Sequence, residues 1–391
     1  MATMNTEKLY ESDGHCREFD AVVQSCTATE NGRYAVQLDR TAFFPEGGGQ
    51  AADTGMLGDA KVLDVQEKHG KILHMTDAPL AVGTSVRGVL DWETRFSRMQ
   101  NHTGEHIVSG LLYRHYGYHN VGFHMGSEDI TLDVDGELTR AQLTEIENLA
   151  NCAVYENLPV RCFYPAPEEL ATLDYRSKLA LTEGVRLVEI PGYDLCACCA
   201  PHVARTGEIG IIKLLDFLHY KGGTRIHMLC GARALADYRT KYENLLSASV
   251  TLSAPQHEVA QAVTRLSETL LETKRALGEA KREILRLRGA QMPHTTGNLC
   301  YFETETDAQY LRELANLGAA HCDGVCAVFS GKDGAYRYLI TSKTVDLKPK
   351  AKEINAFLCG RGGGSSEMLQ GSASTERAVI ESYFAQTDFK V

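Results

Sequence analysis

The sequence predicts an α+β chain built in four successive parts. These are a small N-terminal β-barrel over residues 1–92, an α+β core over 93–240, a long helical coiled-coil spacer over 241–291, and a C-terminal α/β module over 292–391. Three observations carry this reading. Short β-patterned runs separated by Asn, Gly and Asp turns fill the first part; a helical period sets in at Arg95 and alternates with strand-like runs; and between Gln256 and Gly289 apolar residues recur in steps of four and three. With 391 residues, 43% hydrophobic and 23% charged, the chain has ample apolar material for sizeable cores and is neither disordered nor fibrous.

In the first part Phe19–Cys26, Tyr34–Asp39 and Ser85–Asp91 read as strands. Among them lies Thr41–Gln50, TAFFPEGGGQ, where Gly47, Gly48 and Gly49 let the backbone approach another group and expose its N–H donors; a plain tight loop is the alternative. In the core, Ile107, Leu111 and Leu112 share one face of a helix running roughly from Arg95 to His115. Strand-like Gly122–Val134 follows, then a helix over Thr139–Glu156, another around Ala166–Ala180, strand-like Val185–Ile190, and apolar Glu208–Leu215. The spacer places Val259, Val263, Leu266, Leu270, Thr273, Leu277, Ala280, Ile284 and Leu287 on a heptad seam, which predicts a long helix paired with part of Ala232–Leu252 or with a second copy in a homodimer. Met292 and Pro293 end it. The module reads as strand Leu299–Glu303, helix Asp307–Leu317, strands Gly324–Phe329 and Tyr336–Thr341, helix Ala351–Phe357 and a second glycine-rich turn, Gly360–Gly364.

No apolar run approaches the length of a membrane span, and Met1–Asp13 lacks the basic and apolar blocks of a signal peptide, so a cytoplasmic protein without membrane contact is expected. In that compartment the twelve cysteines read as reduced thiols. The formal charge of −11 argues against sequence-blind polyanion binding. Locally the balance differs: Lys332–Arg361 holds seven basic residues against three acidic, a net of +4. The heptad helix, with seven Lys or Arg against five Glu, is only weakly basic.

The chemistry concentrates in two short motifs. His102-Thr-Gly-Glu-His106 sets two imidazoles at i and i+4 on one helix face, and Cys198-Cys-Ala-Pro-His202 repeats that spacing with a thiolate and a third imidazole. Together His102, His106, Cys198 and His202 make a sulfur and nitrogen set suited to one tetrahedral zinc ion per chain, with Cys196 or Cys199 as alternatives for the thiolate. His-x-x-Glu-His is also the pattern of inverted zinc peptidases, in which Glu105 would be the general base. A third reading is a non-catalytic scaffold whose zinc is structural.

The succession Phe43–Gln50, Asn101–His106, Cys198–His202 and Arg205–Gly210 (RTGEIG) resembles the editing domain of alanyl-tRNA synthetase and its free-standing AlaX relatives. The distal half resembles the long form, which carries a DHH-associated C-terminal region, and no room is expected before residue 30 for an aminoacylation half. The resemblance implies a zinc-dependent deacylase acting in trans, which hydrolyses serine, and also glycine, from mischarged alanine tRNA. A pocket for alanine rejects these two poorly, so a second site must discriminate. It further implies that His102, His106, Cys198 and His202 bind the zinc, which with four protein ligands positions the substrate's amino group. Glu105 stands where the family more often has a small or neutral residue, and is expected as a cleft contact that orients water, with a solvent cap as the alternative; His124 lies near the family's reader of the serine hydroxyl, with a satisfied strand histidine as the alternative. Gln50 and the Gly47–Gly49 N–H groups approach the terminal adenosine or a phosphate. Contacts to tRNA phosphates are expected from Lys348, Lys350, Lys352 and Arg361 with Gly362, Gly363 and Gly364. Two departures stand out: the family's acidic-Leu-Cys-Gly-Gly-Thr-His run is two residues longer here, and Pro201 replaces its threonine.

Overall fold

The computed structural model describes residues 5–390 apart from 30, 127–129, 178–183 and 305–306. The chain divides into two compact units, 1–247 and 248–391, so the barrel and the core lie together in the first.

Six strands build the barrel: β1 (Glu18–Ala28), β2 (Tyr34–Leu38), β3 (Gly55–Leu57), β4 (Ala60–Lys68), β5 (Lys71–Thr76) and β6 (Ser85–Leu90). Antiparallel pairings close them in the order β1-β2-β5-β4-β3-β6. Strand alternation turns Phe19, Ala21 and Val23 inward against Val36, Leu38, Val65 and Ile72. Helix α1 (Trp92–Tyr116) begins where the Asp91 carboxylate accepts the Thr94 N–H at 3.3 Å, and ends at Gly117, whose φ of 72° is left-handed. Fully buried Arg95, one turn in, ties the helix to the barrel. Its Nε donates to Asp53 Oδ2 at 2.8 Å and its Nη1 to the Gly14 carbonyl at 3.1 Å, while Asp53 also accepts the Phe44 N–H at 2.7 Å. The segment carrying the glycine run is thereby anchored to the helix carrying the histidines.

Around α1 the core adds β7 (Asn120–Met125), β8 (Ile130–Val134), α2 (Arg140–Glu156), the short sheet β9 (Arg161–Phe163), β10 (Leu187–Ile190) and β11 (Asp194–Ala197), and the hairpin β12 (Ile212–Tyr220) and β13 (Gly223–Cys230). The larger sheet runs β12-β13-β8-β7. A capping box at Thr139 and Gln142 starts α2, and Asn157 in the left-handed region ends it. The helix expected over Ala166–Ala180 is helical only at Pro167–Leu170. Arg176 instead pairs with β11, its N–H to the Leu195 carbonyl at 2.8 Å and its carbonyl to the Ala197 N–H at 2.9 Å, so tertiary hydrogen bonding overrides the local pattern; residues 178–180 lie outside the described ones.

The spacer is two helices: α3 (Gly231–Thr251) and α4 (Val259–Gln291), broken where Ser253 takes a φ of 49° and Pro255 follows. The seam residues Val263, Leu266, Leu270, Leu277, Ile284 and Leu287 are 46–57% exposed, so no described residue covers the predicted stripe. In the second unit β14 (Leu299–Glu303), α5 (Ala308–Ala319), β15 (Cys326–Lys332), β16 (Ala335–Thr341), α6 (Ala351–Phe357), β17 (Gly362–Gly364), β18 (Met368–Ala373) and α7 (Arg377–Gln386) form a mixed sheet ordered β14-β15-β16-β18-β17. Helix α5 packs Leu311 and Leu314 with Val328 and Leu339 on one face; Ile354 of α6 and Ile380 of α7 join Phe329 and Tyr338 on the other. Among the described residues no helix is long and apolar enough to cross a membrane.

Candidate functional site

Helix α1 is buried from Met99 to Leu112, and much of what it buries is polar: Gln100, Asn101, His102, Thr103, Glu105, His106 and Ser109. Apolar packing does not require that. Buried polar side chains need partners, and here each has been given one.

The helical spacing sets His102 and His106 side by side, ring centroids 5.4 Å apart, and the loop after β11 brings Cys198 and His202 against them. Donor atoms of the four residues all lie within 4.8 Å of one another. Cys198 Sγ stands 3.6 Å from His102 Nε2 and 3.4 Å from His202 Nε2. Each imidazole is turned by a bond at its other nitrogen. His102 Nδ1 meets Gln50 Oε1 at 2.9 Å, His202 Nδ1 meets Thr103 Oγ1 at 3.0 Å, and His106 Nδ1 meets Asp194 Oδ2 at 3.0 Å. Arg176 in turn holds Asp194 with two parallel bonds of 2.7 and 2.8 Å. Orientation at Nδ1 with Nε2 left for a cation is how metal-binding histidines are set. These four residues fit a metal ion.

Electrostatics agree with that fit. Burial alone would raise the Cys198 thiol, but the surrounding histidines, His102 foremost, hold it well below its usual value. Burial drives His202 down to about 3, a neutral imidazole. His106 moves the other way: burial pulls it down, but its bonds to Asp194 and Cys198 and the neighbouring Cys196 together raise it well above its usual value. Cys196 lies near His106 and Asp194 but outside the set of four, and burial pushes it up to about 11; Cys199 is exposed. Of the three neighbouring cysteines, the structure brings Cys198 to the histidines.

The set opens on a cleft of about 1000 Å³, lined among others by Gly48, His102, Glu105, His106, Phe123 and Arg176. Gln50 is almost fully buried and serves His102. Gly49 has a φ of 82°, and a Cβ there would sit 2.6 Å from the Phe123 carbonyl oxygen, so the glycine run packs closely on β7. Its neighbour Gly48 faces the cleft. His124 is exposed; Phe123, one residue earlier, lines the cleft with its ring 5.2 Å from that of His102. Sequence reasoning missed Thr103, Ser109, Asn120, Arg176 and Asp194. A signal existed for two of them, since Thr103 and Ser109 are polar on a helix that had to be buried.

In the second unit, Lys348, Lys350 and Lys352 precede or open α6. Arg361 instead joins Arg312 and Arg337 on a cleft of about 610 Å³ beside α5, with no acidic residue among its described lining. Gly362 and Gly364 are required by the sheet: a Cβ would meet Tyr338 Oη at 2.2 Å and the Met368 oxygen at 1.9 Å, whereas Gly363 faces open space.

Comparison with known proteins follows the same lines. Residues 185–227 match the threonyl and alanyl tRNA synthetase second additional domain, and residues 11–94 match the class II (A) tRNA synthetases. The alanine–tRNA ligase of Ignicoccus hospitalis is 31% identical over 96% of this chain and 42% of its own length. The alanyl-tRNA editing protein AlaX-L of Pyrococcus horikoshii is 29% identical over 96% of either chain. The alanine–tRNA ligase of Halorubrum lacusprofundi is 32% identical over 92% of this chain and 40% of its own. The chain thus spans about two fifths of these ligases and nearly all of the editing protein.

Proposed function

We propose that the chain is an editing protein of the alanyl-tRNA synthetase-like family to which it is similar, a zinc-dependent deacylase hydrolysing the ester of alanine tRNA mischarged with serine or glycine. One observation carries the reading: three imidazoles and a thiolate, each imidazole turned by its own buried partner, meet beside a cleft large enough for an aminoacylated adenosine. His102, His106, Cys198 and His202 hold the metal, one ion per chain. Bound there, zinc supplies a Lewis-acid centre. Gln50, Asp194 and Thr103 fix the imidazoles, Arg176 fixes Asp194, and Phe123 walls the cleft beside His102. Gly48 offers a side-chain-free surface to the terminal adenosine.

Alanine tRNA is the partner, and the second unit is its phosphate-binding part. The cleft of Arg312, Arg337 and Arg361 supports this, because three arginines and no acidic residue are among its described lining in a chain whose net charge is −11. Lys348, Lys350 and Lys352 add charge near α6.

The test is hydrolysis by zinc-loaded protein of Ser-, Gly- and Ala-tRNA(Ala), with an unstructured peptide alongside. Release of serine and glycine with alanine spared is expected. Peptide cleavage without ester hydrolysis overturns the proposal in favour of a peptidase, and inertness toward all four overturns it in favour of a scaffold.

A further inference from the structure

Glu105 is 4% exposed yet lines the cleft, between the imidazoles of His102 and His106 in sequence. Its Oε1 accepts the Ser109 hydroxyl and the Asn120 amide, the latter at 2.6 Å, and Asn120 also donates to Ser109 Oγ at 3.3 Å. Asn120 reaches this position through an irregularity in β7. Asp133 pairs with Gly122 but Val134 pairs with Asn120, so Val121 is extra, and Asn120 faces the same side as Phe123. Bulges of this kind re-aim side chains beside active sites. The three residues form a polar cluster in which Glu105 Oε1 is held by two neutral donors.

That arrangement occupies one oxygen only. Both donors bond Glu105 Oε1, the nearby Arg176 guanidinium spends its hydrogen bonds on Asp194, and Glu105 Oε2 accepts no hydrogen bond from a described residue. A largely buried carboxylate oxygen without a donor is costly, so a cleft that keeps one presents it to a donor on the ligand, and a cationic donor binds it best. An aminoacyl ester carries such a cation on the carbon next to the carbonyl under attack. We propose that Glu105, oriented by Ser109 and Asn120, is the ammonium subsite of this cleft. Its second oxygen receives an N–H of the substrate's α-ammonium group. The substrates are then esters of amino acids with a free amine, and N-acylated or peptidyl esters are excluded. This rests on the deacylase reading and assigns the amine to a carboxylate, where the family resemblance gave it to the metal.

The test is equilibrium binding of two uncleavable mimics, 3′-(L-seryl)amino-3′-deoxyadenosine and its N-acetyl form, to the zinc-loaded protein. The free-amine form should bind at least about tenfold tighter, the scale of one charge-assisted hydrogen bond. In Glu105→Gln the preference should collapse to within about twofold with zinc content unchanged. Asn120→Ala, which leaves the charge but unlocks it, should keep a reduced preference. Equal wild-type affinity for both mimics overturns the subsite, and so does a Glu105→Gln variant that loses turnover while keeping the preference, the signature of a base acting on water. Preference for the free amine without hydrolysis of Ser-tRNA would sink the deacylase reading but support the subsite. Equal hydrolysis of Ser-tRNA and N-acetyl-Ser-tRNA would do the reverse.

Discussion

Cys198 carries the heaviest burden of any residue in the first unit, since it alone among the clustered cysteines lies among the three histidines. Cys198→Ala should abolish stoichiometric zinc measured by elemental analysis, whereas Cys199→Ala should retain it; full zinc in the first variant would remove Cys198 from the ligand set. Asp194 acts one step further out. Burial would raise its carboxyl, but hydrogen bonds from His106 and Arg176 outweigh that and hold it below the usual value. The unfolded carboxyl therefore takes up its proton at higher pH than the folded one. Stability from this group is complete above the ordinary carboxylate range and is lost as pH falls through the lowered folded value. Urea unfolding of the metal-free protein at a series of acidic pH values should show a shallower decline for Asp194→Asn than for the wild type. Equal slopes would mean that this carboxyl is not shifted.

At the scale of elements, α1 joins two kinds of work. Its first turn grips the barrel through Arg95, and its middle turns carry His102, Glu105 and His106. Gly110 lets β11 come close enough for Asp194 to reach His106, because a Cβ there would lie 2.4 Å from the Tyr193 carbonyl oxygen. Arg95→Ala removes one half of a fully buried ion pair and leaves Asp53 only its longer ionic contact to Arg98, Nη1 to Oδ1 at 3.6 Å. It should cost about 3–5 kcal/mol by urea denaturation. A loss below about 1 kcal/mol, the scale of exposed pairs, would show that the barrel and α1 are held by apolar contacts instead. Periodicity places α1 and α2 within about three residues of their ends, but not the stop of the expected Ala166–Ala180 helix at Leu170, because bonds from Arg176 to β11 decide it.

For the whole molecule, charge distribution matters more than the total. Each phosphate contact contributes a slope of roughly −0.9 to the dependence of log affinity on log salt for duplex nucleic acid. Replacing Arg312, Arg337 and Arg361 together with Gln should therefore flatten the salt dependence of tRNA(Ala) binding by about 2 to 3. The same substitutions should leave zinc content untouched, since all three lie in the second unit. An unchanged slope would move the RNA to another surface. The sequence alone established the α+β class and the i, i+4 histidines that meet a third histidine and a cysteine at one centre, because periodicity and i, i+4 spacing are local properties of a chain; only the fold chose Cys198 over Cys196 and Cys199. The sequence could not show that Gln50, Thr103 and Asp194 each serve one histidine, that a bulge turns Asn120 toward Glu105, that His124 is exposed where Phe123 lines the cleft, or that Arg361 joins Arg312 and Arg337 rather than the lysines before α6. Those depend on strand register and on which sheet face a side chain takes, and both are settled only when distant segments pack and pair.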